Sequence, residues 1–135
     1  MSAAGRHGPR HVSGRLLGVL FGAFAASDLS QVAEVLTGHA SQPTPLAIEH
    51  ALAGAAGGAA AVGLWRGARW TAAAVVAWGL ATAVLLATLP AVLGLPREAR
   101  PGIWTGAAIV LLITLAVTRY AWRRGRRPPP PAHDT

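Results

Sequence analysis

Asp28, Gln31, Glu34, Glu49 and His50 are the side chains in this sequence best suited to chemistry. Carboxylates beside an imidazole can relay protons, hold a divalent cation or grip a polar ligand. The runs around them are almost wholly apolar, so any such work would be done at depth rather than in water. Asp28 lies eight residues before Leu36, where the first apolar run ends, which is about 12 Å along a helix. A charged side chain facing lipid at the centre of a membrane costs about 2.5–3.5 kcal/mol on insertion scales. Asp28 is therefore expected to turn inward, toward a partner or a wet cavity, while Glu34 sits near enough to the helix end to reach water. Antiparallel pairing of the first two helices sets His50 roughly level with Gln31 and Glu34. Glu49 and His50 are chain neighbours, so on a helix they point about 100° apart and do not easily face one point. His39, Arg97 and Arg100 belong to the adjoining loops. The cluster is either an inward polar network that fixes helix packing or a proton or ligand site.

Other chemistry finds no support. The chain has no cysteine, which removes disulfides, thiolate metal sites and cysteine redox chemistry. Gly54–Gly58 lacks the lysine and the preceding strand of a phosphate loop. His7 and His11 have a spacing that holds metal on a helix, but they stand in a glycine- and proline-bearing terminus of a kind that tends to be disordered. No Ser-His-Asp set is apparent. The expectation is a non-enzymatic protein without metal or cofactor.

The elements that position these residues are four apolar blocks. Over 135 residues, 53% are hydrophobic and 13% charged, against about 25% charged in soluble domains. The fold class expected is all-α: an integral membrane bundle of four transmembrane helices, up-down-up-down, at about 14–36, 46–65, 70–93 and 103–122. Each approaches the roughly 20 residues needed to cross hydrocarbon. Residues 1–13 read as a basic, disordered terminus and 123–135 as a basic, proline-rich disordered tail. Gly38 is a stop for the first helix, Pro43 and Pro45 hold the next loop extended, and Pro90 ends or bends the third. Thr82 and Thr88 can bond to their own helix carbonyls.

Glycines at Gly14, Gly18 and Gly22 repeat every fourth position, and Gly54 and Gly58 do so on the second helix; such spacing lets helix backbones approach closely in lipid. Trp65 and Trp70 bracket Arg66-Gly67-Ala68-Arg69, and Trp104, Tyr120 and Trp122 bound the fourth block, as aromatic rings do at a membrane–water boundary. Trp78, inside a span, reads as packing.

The formal charge of +7 would ordinarily suggest nucleic acid. Here the arginines sit at block ends, so topology explains them and no nucleic-acid partner is expected. Arg6, Arg10, Arg15, Arg66, Arg69, Arg119, Arg123, Arg124, Arg126 and Arg127 fall on one side, Arg97 and Arg100 on the other. The positive-inside rule then puts both termini in the cytoplasm of a bacterial inner membrane. The expected partners are the lipid bilayer, anionic lipid at Arg123, Arg124, Arg126 and Arg127, and a second copy or another membrane protein. A rival reading treats Arg6, Arg10, Arg15 and Leu16–Phe24 as a signal peptide cleaved after Ala25. The apolar pattern nevertheless runs on unbroken through Leu29, Val32 and Leu36, and the intact mass of the purified protein distinguishes the two.

Arg15-Leu16-Leu17-Gly18 opening the first helix, and Trp65-Arg66-Gly67-Ala68-Arg69-Trp70 joining the second to the third, give a plan that resembles the small bacterial four-helix membrane proteins grouped as DoxX-like. The resemblance covers roughly residues 15–122, is one of architecture, and carries over no functional residues. It implies association with respiratory or redox membrane complexes. The function expected is a small scaffold or accessory subunit of a membrane complex. The alternative is a small carrier or proton-linked ligand-binding protein using the cluster around Asp28.

Overall fold

A computed structural model describes residues 10–39 and 43–125. Four helices follow one another: α1 (Arg10–Leu36), α2 (Thr44–Arg66), α3 (Thr71–Val92) and, after a 3₁₀ turn at Arg97–Ala99, α4 (Arg100–Gly125). The described residues contain no strand, and each of the four helices is long and apolar enough to cross a membrane.

Where the boundaries depart from expectation, local chemistry explains it. Arg10–Ser13 is helical rather than part of an irregular terminus, because nothing between Pro9 and Gly14 interrupts a helix already formed beyond it. α1 stops as expected, with Gly38 at φ +73° and the His39 N–H donating to Glu34 O at 2.9 Å. Pro45 belongs to α2 rather than to the loop: in a first turn the N–H it lacks would have had no helical partner. α2 ends at Gly67 in the left-handed conformation, φ +67°, where the Ala68 N–H closes on Gly63 O at 3.0 Å. Pro90 lies inside α3, as the expected span 70–93 allowed, and the helix continues to Val92. A proline two residues from the terminus forfeits a single interior bond, and Gly94 at φ +61° makes the actual stop. α4 likewise starts at Arg100, earlier than Ile103, with Pro101 accommodated in its first turn, and it reaches Gly125 at its far end.

Consecutive helices are antiparallel neighbours, as the glycine contacts reveal. On α1 and α2, a Cβ placed on Gly18 would meet Ala61 O at 3.2 Å, and one on Gly54 would meet Leu29 Cγ at 2.9 Å. On α2 and α3, Gly63 faces Thr71 (Oγ1 2.7 Å from such a Cβ) and Gly57 faces Trp78 (Cδ1 3.1 Å). Gly79 of α3 presses on the Thr114 side chain of α4. α1 and α4 lack a backbone seam of this kind; side chains bring all four helices together instead.

The resulting core consists of Phe21, Ala60, Leu64, Val75, Trp78 and Val117. Trp78 is its hub, 3% exposed, with the Phe21 ring edge-on at 4.7 Å and the Phe24 ring stacked at 5.6 Å. This core lies in the half of the molecule where α2 and α4 end and α3 begins, the half that carries most of the arginines. Large apolar side chains are also exposed at mid-helix, among them Leu20, Leu52, Leu80 and Leu112.

Candidate functional site

The other half of the molecule holds the polar groups. His50 of α2 donates from Nδ1 to Asp28 Oδ1 of α1 at 3.0 Å, and the two side chains are 17% and 18% exposed. Asp28 therefore does turn inward, onto a partner. Gly54, one turn along from His50, permits the meeting, since a Cβ there would lie 3.3 Å from that of Asp28 and still nearer to Leu29. The observed register thus matches His50 with Asp28, a turn deeper than the pairing with Gln31 and Glu34 expected from the sequence. The Gly54–Leu29 and Gly57–Ala25 contacts set that register.

Glu49, about 100° around the helix from His50, meets α3 instead of α1. Thr88 of α3 donates to Glu49 Oε2 at 2.7 Å and also approaches its own Leu85 O at 3.1 Å. The hydroxyl reserved in sequence for its own backbone is thus shared with a carboxylate across a helix seam. Thr82 differs too: its Oγ1 is buried and makes no hydrogen bond to its helix. Gln31 is half-buried and Glu34 exposed. His39 Nδ1 lies 2.9 Å from Thr37 Oγ1 within the α1–α2 loop. Arg97 and Arg100 are exposed. The structure therefore brings together Asp28 with His50, and Glu49 with Thr88, and leaves Glu34, His39, Arg97 and Arg100 outside that arrangement. Among the described residues no three His, Asp or Glu side chains converge in a way that could hold a metal ion. Asp28–His50 links α1 to α2, and Glu49–Thr88 links α2 to α3.

The glycines divide by use. Gly14, Gly18 and Gly54 abut other helices, whereas a Cβ on Gly22 would just reach Ala61 Cβ at 4.0 Å and one on Gly58 would meet nothing within 4 Å. Gly57, Gly63 and Gly79 make the close approaches that a four-residue spacing rule overlooks, because contacts between crossing helices follow the seam rather than one sequence interval. At the arginine-rich end, Arg123 is exposed. Arg124 is half-buried: its guanidinium lies against Gly14 and Gly67, over the C-terminus of α2, with Nη1 buried. A cation there complements the negative end of the helix dipole. Of the arginines assigned to anionic lipid, Arg123 is exposed and Arg124 packs within the chain, while Arg126 and Arg127 lie outside the described residues, as does His7; His11 falls in the first turn of α1.

Compared with protein-family models, with curated proteins and with solved structures, the chain matches none.

Proposed function

We propose that the chain is an integral membrane protein of four spans, up-down-up-down, and that it serves as a non-enzymatic scaffold or accessory subunit of a membrane complex. The observation that carries this reading is the fate of its half-buried acids. Asp28 and Glu49 are each bonded to a neighbouring helix, so these polar groups hold helices together instead of lining a path. The membrane setting is supported by helices of spanning length and composition with large exposed side chains such as Leu80 and Leu112 at their centres, where a water-soluble protein would seldom gather so many. Arg15, Arg66, Arg69, Arg119, Arg123 and Arg124 cluster at one end, which favours cytoplasmic termini in a bacterial inner membrane and loops 37–45 and 94–102 outside. The architectural resemblance to DoxX-like proteins would make the complex a respiratory or redox one.

The test is photocrosslinking in native membranes from probes at Leu80 and Leu112, the apolar faces of α3 and α4. Recovery of a discrete partner protein or of a self-oligomer supports the proposal. Recovery of lipid adducts alone from both positions refutes it.

A second reading, a small carrier or proton-linked binding protein, draws on one observation: Asp28 and His50 form an ionisable pair at helix depth that keeps some exposure, and such pairs in membranes often serve transport. Proton uptake by reconstituted vesicles separates the two readings. An Asp28→Asn protein with unchanged uptake removes the carrier.

A further inference from the structure

On the flank of the α1–α2 seam that faces away from the core runs a groove of about 370 Å³, lined by Gly18, Val19, Gly22, Ala61, Val62, Trp65 and Arg66. Its floor is bare because neither Gly18 nor Gly22 carries a side chain. Its walls are apolar, and its end toward the arginine-rich face of the molecule carries Trp65 and Arg66. We propose that this groove is a binding site for one anionic phospholipid, with an acyl chain against Gly18 and Gly22 and the phosphate at Arg66. The inference requires the chain to lie in a bilayer, but neither the scaffold nor the carrier reading.

Three observations select this occupant. First, charge: Arg66 is exposed and makes no ion pair or hydrogen bond among the described residues, so its guanidinium is free to take a phosphate, the anion its planar fork suits best. A groove of similar volume between α3 and α4, lined by Ala72, Ala73, Val76, Ala77, Leu80, Thr118 and Trp122, carries no charge in its lining. Second, shape: the groove is walled by Val19, Ala61 and Val62 over a floor without side chains, and a hydrocarbon chain is slender enough to lie along it. Third, position: Trp65 is 57% exposed beside Arg66, and an indole next to an arginine is the pairing found at headgroup level.

Gly18 already serves the fold, since a Cβ there would crowd Ala61 O at 3.2 Å. Gly22 does not, with Ala61 Cβ 4.0 Å away. A large side chain at position 22 therefore fills the groove without disturbing the α1–α2 contact.

The experiment is native mass spectrometry of the full-length protein, released from micelles holding equal amounts of phosphatidylglycerol and phosphatidylcholine with the same acyl chains. The wild type is expected to retain one phosphatidylglycerol in preference to phosphatidylcholine. Arg66→Gln should lower phosphatidylglycerol retention about fivefold, the worth of one basic residue at an anionic surface, and leave phosphatidylcholine unchanged. Gly22→Leu should abolish retention of both, and Val19→Trp, entering from the opposite wall, should do the same. Equal retention of the two lipids by the wild type overturns the proposal, as does wild-type retention by both occluding variants. A lipid-free dimer that Gly22→Leu converts to a monomer overturns it as well, assigning the groove to a second copy of the chain.

Discussion

Truncating Asp28 to alanine should loosen the half of the molecule around the 37–43 loop while the Trp78 core stays closed. The magnitude follows from the geometry. Asp28 and His50 share one hydrogen bond of 3.0 Å, with both side chains more than four-fifths buried. Bonds involving a charged partner contribute about 1.5–3 kcal/mol in water-soluble folds, whereas those between membrane helices average about 0.6 and reach about 1.7 kcal/mol. In the membrane setting proposed above the smaller scale applies, because a helix already in lipid finds other partners for its polar groups when it is unpacked. The pair should therefore couple by about 1 kcal/mol. Asp28→Ala alone should cost more, about 2 kcal/mol, since it also strands the His50 imidazole between helices. Alanine retains the Cβ that rests beside Gly54, so no packing is lost there. Asp28→Asn, whose amide oxygen can still accept from Nδ1, should cost roughly half as much as alanine. The assay is a double-mutant cycle of Asp28→Ala and His50→Ala, with unfolding by SDS titration in mixed micelles followed by helicity, together with amide exchange to locate the loosening. A coupling below about 0.3 kcal/mol would show that the contact fastens nothing, and the assignment of the half-buried acids to helix packing would fall with it. So would exchange that quickens around Phe21 and Val75 as much as around Asp28.

Three further outcomes check the packing directly. Gly79→Ala should destabilise by about 1–3 kcal/mol, the usual range for overpacking, because the added methyl falls onto the Thr114 side chain; Thr114→Ala should recover most of the loss. Gly58→Ala, which meets open space, should instead be neutral or stabilise by up to about 1 kcal/mol through helix propensity. Trp78→Ala should cost about 3–5 kcal/mol, read in the same SDS titration, and a loss under 1 kcal/mol would displace Trp78 as the hub of the core.

The elements were legible in the sequence because their signals are local. Four apolar blocks separated by glycine, proline and arginine give four helices, and Gly38 and Gly67 stand where backbones must turn left-handed. Prolines misled in a consistent way: Pro45 and Pro101 both lie within helices, since in a first turn the missing N–H removes little or nothing that the helix uses. The candidate site was half legible. Asp28, Glu49 and His50 stand out as polar residues in apolar runs, and the divergence of Glu49 from His50 follows from helical geometry alone. The partners did not stand out. Matching His50 to Asp28 rather than to Glu34 depends on how far α2 slides along α1, and finding Thr88 depends on the same slide between α2 and α3. Gly54 and Gly57 settle these offsets through contacts that have no signature in any single helix.

These contacts also explain why the two halves of the molecule are built differently. In the proposed bilayer setting, helices gain little from hiding apolar surface from one another, so close backbone approach, interlocked side chains and hydrogen bonds would hold them. Toward the arginine-rich end, Gly14, Gly18 and Gly63 bring the backbones close, and the Phe21, Trp78 and Val117 side chains fill the centre. Toward the opposite end the buried residues thin to Leu46, Ala53, Leu85 and Ala107, and Gly102 and Gly106 of α4 meet nothing within 4 Å. That is where Asp28–His50 and Glu49–Thr88 join their helices. Their position follows from the packing: a hydrogen bond contributes most where there is least interlocking to replace it. α4, which makes neither bond, is left held chiefly by Gly79–Thr114 and the core. The N-terminal half of α4 accordingly leaves Trp104, Ile109, Leu111 and Leu112 exposed.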